Sequence, residues 1–227
     1  IEFMGYNILL AGSGNIGFRY LQGICKIKYL KLNVFVFDKH ESKEKEIIDK
    51  ISNYKNKNIT INQLSPNAHK FDLAIISTTA NARAKLIKSL KKKYKIKIWL
   101  IEKVIEQSVA NLNLINKYLK NENVFVNIPR REMQRYIKLK KKIKYKKNIF
   151  FRITGGNWGL ASNSIHFFDL VLWITNSFPI EVKDSFNGIR WKRSVRRKGF
   201  LEANGSFTTI FSNNNELFIR SSNDTSK

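Results

Sequence analysis

The residues best suited to proton chemistry lie in one helical stretch of the C-terminal half. Ser162, His166, Asp169 and Trp173 are spaced i, i+4, i+7 and i+11, so they share one face of a predicted helix. A histidine can transfer a proton near neutral pH, and a carboxylate one turn further on can fix its tautomer. The alternative is that His166 and Asp169 are hydrogen-bonded core residues of a mostly apolar helix.

Three cations are placed where they could act at a site. Lys103 follows the apolar run 96–101 and Glu102, at the end of a predicted strand. A cation there could stabilise the alkoxide that develops when a carbinol carbon gives up hydride. Arg130 and Arg131 could hold a phosphate or carboxylate as bidentate donors. Each of the three could equally be a surface charge, since lysine and arginine are abundant in this chain.

The stretch that must position a cofactor is residues 7–17, NILLAGSGNIG, which predicts a strand, a tight turn and a helix. Gly12 permits the turn, Gly14 lets the backbone approach a pyrophosphate, and Gly17 lets the helix pack closely on the strand. The start of the helix then directs its N–H groups and positive dipole end at the phosphates. The alternative is a glycine turn that binds no ligand.

An acidic residue follows at the spacing that dinucleotide binding requires. The predicted strand 33–37 ends in Asp38, about 20 residues after the loop, where a carboxylate would accept from a ribose 2′-OH. Asp38 favours NAD over NADP because a 2′-phosphate would meet its negative charge, although Lys39 and Lys43 weaken that preference. The predicted cofactor contacts are Gly12, Ser13, Gly14, Asn15, Ile16, Gly17, Asp38, Thr78, Thr79, Asn81, Glu102 and Lys103.

The order of elements predicts an α/β fold. Six short apolar runs alternate with helical patterns up to residue 128, which indicates a doubly wound parallel sheet covered on both faces, a Rossmann domain over residues 4–128. Ser108 is predicted to cap the helix that follows it. Ligands of such sheets bind beyond the carboxyl ends of the strands. Those ends carry Gly12, Asp38, Thr78, Glu102, Lys103 and Asn127.

The alternation breaks at residues 127–131, and a second, α+β domain is predicted over residues 129–220. It contains a basic helix, a strand at 148–154, a glycine-rich turn at 155–159, an apolar helix at 163–174 and three further strands. Those strands, at 180–187, 200–211 and 216–220, with turns at 187–188 and 204–205, predict an open and mainly antiparallel sheet. Residues 1–3 resemble a cloning remnant, and residues 221–227 are expected to be a frayed tail.

Composition limits the class of protein. The chain has 227 residues, of which 43% are hydrophobic and 12% aromatic, as is typical of a globular protein. We expect a cytoplasmic protein with no membrane span, no signal peptide, no metal site and a buried, inert thiol at Cys25. The net charge is +25, and lysines occur throughout the chain, with two denser clusters at 88–97 and 138–147. These clusters could bind a polyanion, but solvated helix faces are the preferred interpretation, so nucleic acid is not expected as a partner.

The succession GSGNIG, FD, DLAIISTTANARAKLI, IEK and SIHFFDLVLW resembles the Gfo/Idh/MocA family, the glucose–fructose oxidoreductases and inositol dehydrogenases. The resemblance implies hydride transfer between NAD and a carbinol carbon. The family's lysine of Glu-Lys-Pro and histidine of Asp-x3-His attend that carbinol, and they match Lys103 and His166. VNIPRRE and WGLASNSIHFFDL are most similar to members linked to surface-polysaccharide synthesis, which implies a sugar or nucleotide-sugar substrate. The substrate contacts so implied are Arg130, Arg131, Trp158, Ser162 and Asn163.

Three features depart from the family pattern. Val104 stands where the family has proline, Ser162 stands where it has the helix aspartate, and the second domain is shorter. Serine can hydrogen-bond a hydroxyl but cannot raise a neighbouring histidine's pKa by negative charge. The short domain predicts an incomplete sheet whose edge strands favour association, so a homo-oligomer is possible through that sheet. The alternative function is therefore a dinucleotide-binding protein without turnover.

Overall fold

The computed structural model of the chain describes residues 5–54, 56–64, 70–143, 146–183, 189–194 and 199–222. They form two compact units, Ile1–Asn127 and Ile128–Lys227. The expected cloning remnant at 1–3, the expected turn at 187–188 and residues 223–227 of the expected tail lie outside the described residues. None of the helices in these ranges combines the length and the hydropathy that a membrane span needs.

The first unit is built on a six-stranded sheet in which every pairing is parallel. Its strands are Tyr6–Ala11 (β1), Leu32–Phe37 (β2), Ile59–Gln63 (β3), Lys70–Ile76 (β4), Lys95–Glu102 (β5) and Asn123–Asn127 (β6). The spatial order is β3-β2-β1-β4-β5-β6. This is the order of two mononucleotide-binding halves joined at the first strand, so the predicted Rossmann domain is confirmed.

Helices cover both faces of this sheet. They are Asn15–Ile24 (α1), Glu41–Ile51 (α2), Arg83–Lys93 (α3) and Val109–Leu119 (α4). Leu10 packs with α1 and α2 in one core, whereas its neighbour Leu9 packs with α3 and α4 in the other. Successive strand side chains point to opposite faces, which is why the buried strands have continuous apolar runs. The Ser108 hydroxyl accepts from the Asn111 amide at 3.4 Å, as the predicted cap requires.

The second unit contains a mixed sheet. Its strands are Phe150–Gly156 (β7), Pro179–Lys183 (β8), Arg190–Arg193 (β9), Leu201–Phe211 (β10) and Glu216–Ser222 (β11). The order is β7-β11-β10-β8, and β9 pairs with β10. Only the β7–β11 pairing is parallel among these described pairs, so the prediction of a mainly antiparallel sheet is confirmed.

Three helices accompany this sheet: Gln134–Ile143 (α5), Leu160–Asn163 (α6) and Ile165–Thr175 (α7). Val171 of α7 is buried with Phe211, Leu217 and other strand residues in one hydrophobic core. The Lys140 ammonium of α5 lies 4.0 Å from the centre of the Trp173 ring. One member of the basic cluster at 138–147 is thus part of the packing of α5 on α7.

The structure corrects the turn predicted at 204–205, the first two residues of the turn predicted at 155–159, and residues 221–222 of the predicted tail. Gly155 and Gly156 are the last residues of β7, where they pair with Ser221 and Ser222 of β11. Those serines were expected to be frayed. The turn predicted at 204–205 lies within β10, because Gly205, at φ 135°, continues the strand from its pairing with β9 to its pairing with β11. Pairing with distant strands overrides the local glycine and asparagine signals in each case.

Candidate functional site

Two glycines of the first turn are required by the fold. Gly12 has φ of 107°, and a Cβ placed on it would lie 2.7 Å from the Thr78 amide nitrogen. A Cβ on Gly17 would lie 2.1 Å from the Gly12 carbonyl oxygen. Only glycine allows α1 to approach the end of β1 this closely.

Gly14 differs from both, because packing does not require it. It precedes α1 with extended backbone, φ −73° and ψ −171°, and a Cβ built on it would meet nothing within 4 Å. The open space lies at the helix N-terminus, where the first N–H groups have no partner within the helix. A diphosphate fits such a position, and a side chain at residue 14 would occupy part of it.

The structure brings Asp38 to the glycine turn. Its Oδ2 accepts hydrogen bonds from the Ser13 amide, at 2.9 Å, and from the Ser13 hydroxyl, at 2.8 Å. Partial burial raises the pKa of the Asp38 carboxyl. The hydrogen bonds from Ser13 and the His40 amide, together with the charge of Lys43, lower that pKa by a larger amount. The net pKa lies below its ordinary value, so the group keeps its negative charge at neutral pH.

Glu44, which was not predicted as a site residue, holds the main chain at Asp38. Its carboxylate is only 6% exposed and accepts from the Asp38 amide at 2.7 Å and from the Gln63 side-chain amide at 3.1 Å. The bond spans six residues and reaches an amide two positions before the N-cap residue His40, so it does not have the spacing of a capping box. The sequence therefore carries no local signal for this contact.

The carboxylate of Glu102 joins three elements at the carboxyl-end edge of the sheet. Its Oε1 accepts from the Tyr20 hydroxyl of α1, at 2.6 Å, and from the Asn127 amide at the end of β6. Burial raises the pKa of Tyr20 far above its ordinary value, and the bond to Glu102 raises it further, so Tyr20 remains a donor. Asn127 and Glu102 were expected at this edge. Tyr20 was assigned only to the apolar face of α1.

Lys103 follows directly on β5, as expected. The peptide bond between Lys103 and Val104 is cis, although no proline is present. The buried Arg83 side chain donates to carbonyls on both sides of Lys103, and this contact was not predicted. On the neighbouring loop, Thr79 donates to Asn81 through its hydroxyl, at 2.8 Å.

In the second unit, Asp169 is engaged by Arg131. The guanidinium donates from Nε to Oδ2 at 2.7 Å and from Nη2 to Oδ1, a bidentate ion pair. The hydrogen bonds to Asp169 raise the pKa of Arg131. Arg131 therefore ties the segment before α5 to α7. Its expected role on substrate, and that of Asp169 in orienting His166, stay predictions.

The other implied substrate residues also have partners within the second unit. The Arg130 guanidinium lies 4.4 Å from the centre of the Phe167 ring. The Trp158 indole N–H donates to the Arg220 carbonyl at 3.0 Å, and Asn163 donates to the Trp158 carbonyl at 2.7 Å. These contacts fix the segment that leads into α7, and roles in substrate binding stay predictions.

A carboxylate from β10 lies beside Ser162, the position where the related family has aspartate. Glu202 Oε1 accepts from the amides of Ala161, at 2.7 Å, and Ser162, at 3.3 Å. Burial raises the pKa of Glu202, but the Ser162 hydroxyl and the neighbouring amides lower it more, to below its ordinary value. A Cβ on Gly159, which has φ of 82°, would come within 2.7 Å of Glu202. The sequence carries no spacing signal for this long-range contact.

Comparison with known proteins identifies the fold. No protein-family model matches the sequence, and no curated protein is similar to it. Among solved structures, myo-inositol 2-dehydrogenase from Lactobacillus plantarum has a TM-score of 0.69 at 15% identity, over 96% of this chain and 70% of its own. Myo-inositol dehydrogenase from Lactobacillus casei, solved with NAD(H) and myo-inositol, has a TM-score of 0.70 at 15% identity, over 96% and 68%.

A third structure, UDP-N-acetylglucosamine 3-dehydrogenase from Acidithiobacillus ferrooxidans, has a TM-score of 0.67 at 13% identity, over 96% of this chain and 71% of its own. The chain has the fold of these dehydrogenases. The resemblance found in the sequence is thus confirmed at the level of fold. The chain spans about two thirds of each of these dehydrogenases.

The lowered pKa of Asp38 predicts that its contribution to the stability of the fold depends on pH. Because the folded-state pKa lies below the unfolded value of about 3.9, the Asp38 contacts stabilise the fold above that pH and are lost as the pH falls through the folded pKa. Urea unfolding should show Asp38→Asn less stable than wild type at pH 7, with the difference shrinking below about pH 4. Asp49→Asn, an exposed carboxyl of α2, is the control. A pH-independent difference for Asp38→Asn would contradict the geometry.

The Arg131–Asp169 ion pair is expected to stabilise the second unit. In a double-mutant cycle of Arg131→Met and Asp169→Asn, we expect a coupling free energy of about 1 kcal/mol, because the pair is bidentate and Asp169 is mostly buried. The exposed Lys50–Glu46 pair is the control, and its coupling should be weaker because water screens both charges. Urea unfolding of wild type and of the two single variants and the double variant of each pair measures both coupling free energies. Additive effects of the two substitutions would show that the pair contributes no coupling.

Proposed function

We propose that the chain is a nicotinamide-dinucleotide-dependent oxidoreductase that acts on a carbinol of a sugar, cyclitol or nucleotide sugar. The open space at Gly14, at the start of α1 and beside the ionised Asp38, carries this proposal. Support comes from the shared fold, since similar structures include a dehydrogenase bound to NAD(H) and myo-inositol and one named for a nucleotide sugar.

The residues of the first unit fit the dinucleotide. The amides at the start of α1 would bind the diphosphate, and Asp38 would accept from a ribose 2′-OH. NAD is preferred to NADP, because the lowered pKa of Asp38 keeps a negative charge where a 2′-phosphate would lie. The Thr78 hydroxyl is buried and has no hydrogen-bond partner among the described residues, so it could form a hydrogen bond with a ligand at this edge.

The dinucleotide, when bound, would accept or return a hydride. The chain's own residues would handle charge and proton. As the carbinol carbon loses hydride and its C–O bond becomes a carbonyl, the ammonium of Lys103 would stabilise the negative charge on the oxygen, and His166 would take the hydroxyl proton. In the reverse direction His166 would return that proton.

The second candidate is a dinucleotide-binding protein without turnover. Ser162 replaces the family's aspartate, and Asp169 is held by Arg131 rather than left to a substrate. A cytoplasmic location, a link to surface-polysaccharide synthesis and a homo-oligomer through the second sheet also belong to the proposal. For the last, β8 is an edge strand and its residues are exposed.

Gly14→Asp tests the cofactor site. Aspartate is a favourable residue before a helix, and the space around residue 14 is open, so the variant should fold with the stability of wild type. Its side chain and charge would occupy the diphosphate position, so the Kd for NADH should rise at least about tenfold. Thermal unfolding and NADH fluorescence titration measure the two quantities. Equal NADH affinity in both proteins would remove the proposed site.

Lys103→Met separates the two candidate functions. Single-turnover formation of NADH from NAD is measured with a panel of cyclitols, sugars and nucleotide sugars, first on wild type. Loss of the ammonium should slow that step by about 10²- to 10³-fold while NADH binding persists. Lys95→Met, at the exposed start of the same strand, is the control. Tight NAD binding by wild type with no NADH formed from any substrate would favour the protein without turnover.

A further inference from the structure

Arg83 is the buried cation of the first unit. It is the first residue of α3, and its side chain is only 3% exposed. The guanidinium donates to the Thr78 carbonyl from Nε, at 3.2 Å, and from Nη2, at 2.6 Å. Nη1 donates to the carbonyls of Glu102 and Val104 and, at 3.3 Å, to that of Ile105.

These acceptors belong to two different segments at the carboxyl-end edge of the sheet. Thr78 follows β4, whereas Glu102 is the last residue of β5 and Val104 and Ile105 come after Lys103. A single planar group therefore fixes the main chain on both sides of Lys103 and ties it to the neighbouring loop. A buried charge is unfavourable unless it is well hydrogen-bonded, so the guanidinium itself strongly favours this loop arrangement.

A second contact also joins the start of α3 to the segment after β5, this time through a side chain of that segment. Glu106, which is 7% exposed and follows Ile105, accepts from the Ala84 amide at 3.4 Å and from the Gln107 amide at 2.8 Å. In the first contact the Arg83 side chain of α3 donates to main-chain carbonyls of the Lys103 loop. In the second, the Glu106 side chain of the loop accepts from a main-chain amide of α3. The conformation of residues 102–106 is fixed at both ends.

We propose that Arg83 is the positioning residue of the Lys103 loop, holding the main chain of residues 102–105 so that the Lys103 ammonium meets the substrate oxygen. The inference rests on the proposed function for the role of Lys103. Lysine could not replace Arg83, because its single ammonium cannot reach acceptors on both loops as the planar fork does.

The test compares Arg83→Ala and Arg83→Lys with Lys85→Ala, which removes an exposed cation from the same helix. Hydrogen exchange followed by mass spectrometry reports on the amides of residues 102–107 without any need for activity. Exchange in this segment should be faster in both Arg83 variants and unchanged in Lys85→Ala. Arg83→Lys also serves where the alanine variant folds poorly, since it keeps the charge and most of the side-chain volume.

Guanidinium chloride, at a concentration well below that which unfolds the protein, supplies a rescue measurement. It should restore slow exchange of residues 102–107 in Arg83→Ala, because the free cation can occupy the vacated position, whereas sodium chloride at equal concentration should not. Rescue by a cation of matching shape distinguishes a specific bridge from a general loss of stability.

In turnover, kcat of Arg83→Ala should fall about hundredfold, as expected for a misplaced group, while the Kd for NADH changes little. Guanidinium should recover part of that loss. Unchanged exchange at 102–107 in both Arg83 variants, or unchanged kcat with faster exchange, would overturn the proposal. Absence of NADH binding and turnover in wild type would instead overturn the proposed function, and the exchange result would still decide whether Arg83 fixes the loop.

Discussion

The close approach of α1 to β1 is the constraint on which the carboxyl-end edge of the first sheet depends. A Cβ at Gly17 would lie 2.1 Å from the carbonyl oxygen of Gly12, so the helix can reach this position only because residue 17 has no side chain. The same approach directs the start of α1 along the end of the strand. It also brings Tyr20, one turn into the helix, within 2.6 Å of the Glu102 carboxylate at the end of β5. One glycine contact therefore sets both the space at Gly14 and the neighbouring polar network.

The parts of the fold that depend on local pattern could be predicted from the sequence. Continuous apolar runs identified the buried parallel strands, because residues such as Leu9 and Leu10 enter cores on opposite faces of the sheet. The second unit was predicted less well. Gly155 and Gly156 look like a turn, and β9 has no apolar alternation of its own. Both are strand only because β11 and β10 pair with them, and a local window contains no information about a partner more than sixty residues away in the first case.

The site shows the same limit in its chemistry. Glycines, Asp38, Glu102 and Lys103 could be found because they follow strands at a regular spacing. Arg83 and Glu202 could not, because their partners are main-chain carbonyls or amides, which any residue offers. With 42 lysines and arginines in the chain, one arginine at the start of a helix carries no signal of its own. Glu202 further shows that a missing motif residue can be accompanied in space by a carboxylate from a distant strand.

The buried charges of the first unit, unlike its exposed ones, are gathered at the carboxyl-end edge of the sheet. The chain carries a formal charge of +25, yet the described residues include only four buried charged side chains: Glu44, Arg83, Glu102 and Glu106. Glu102 is the last residue of β5, and the other three follow β2, β4 or β5 along the chain. Burying a charge is unfavourable unless it is hydrogen-bonded, and each of these four side chains has hydrogen-bond partners at this edge. The main-chain geometry of the edge therefore depends on a few charges that water does not reach, and not on the large number of exposed ones.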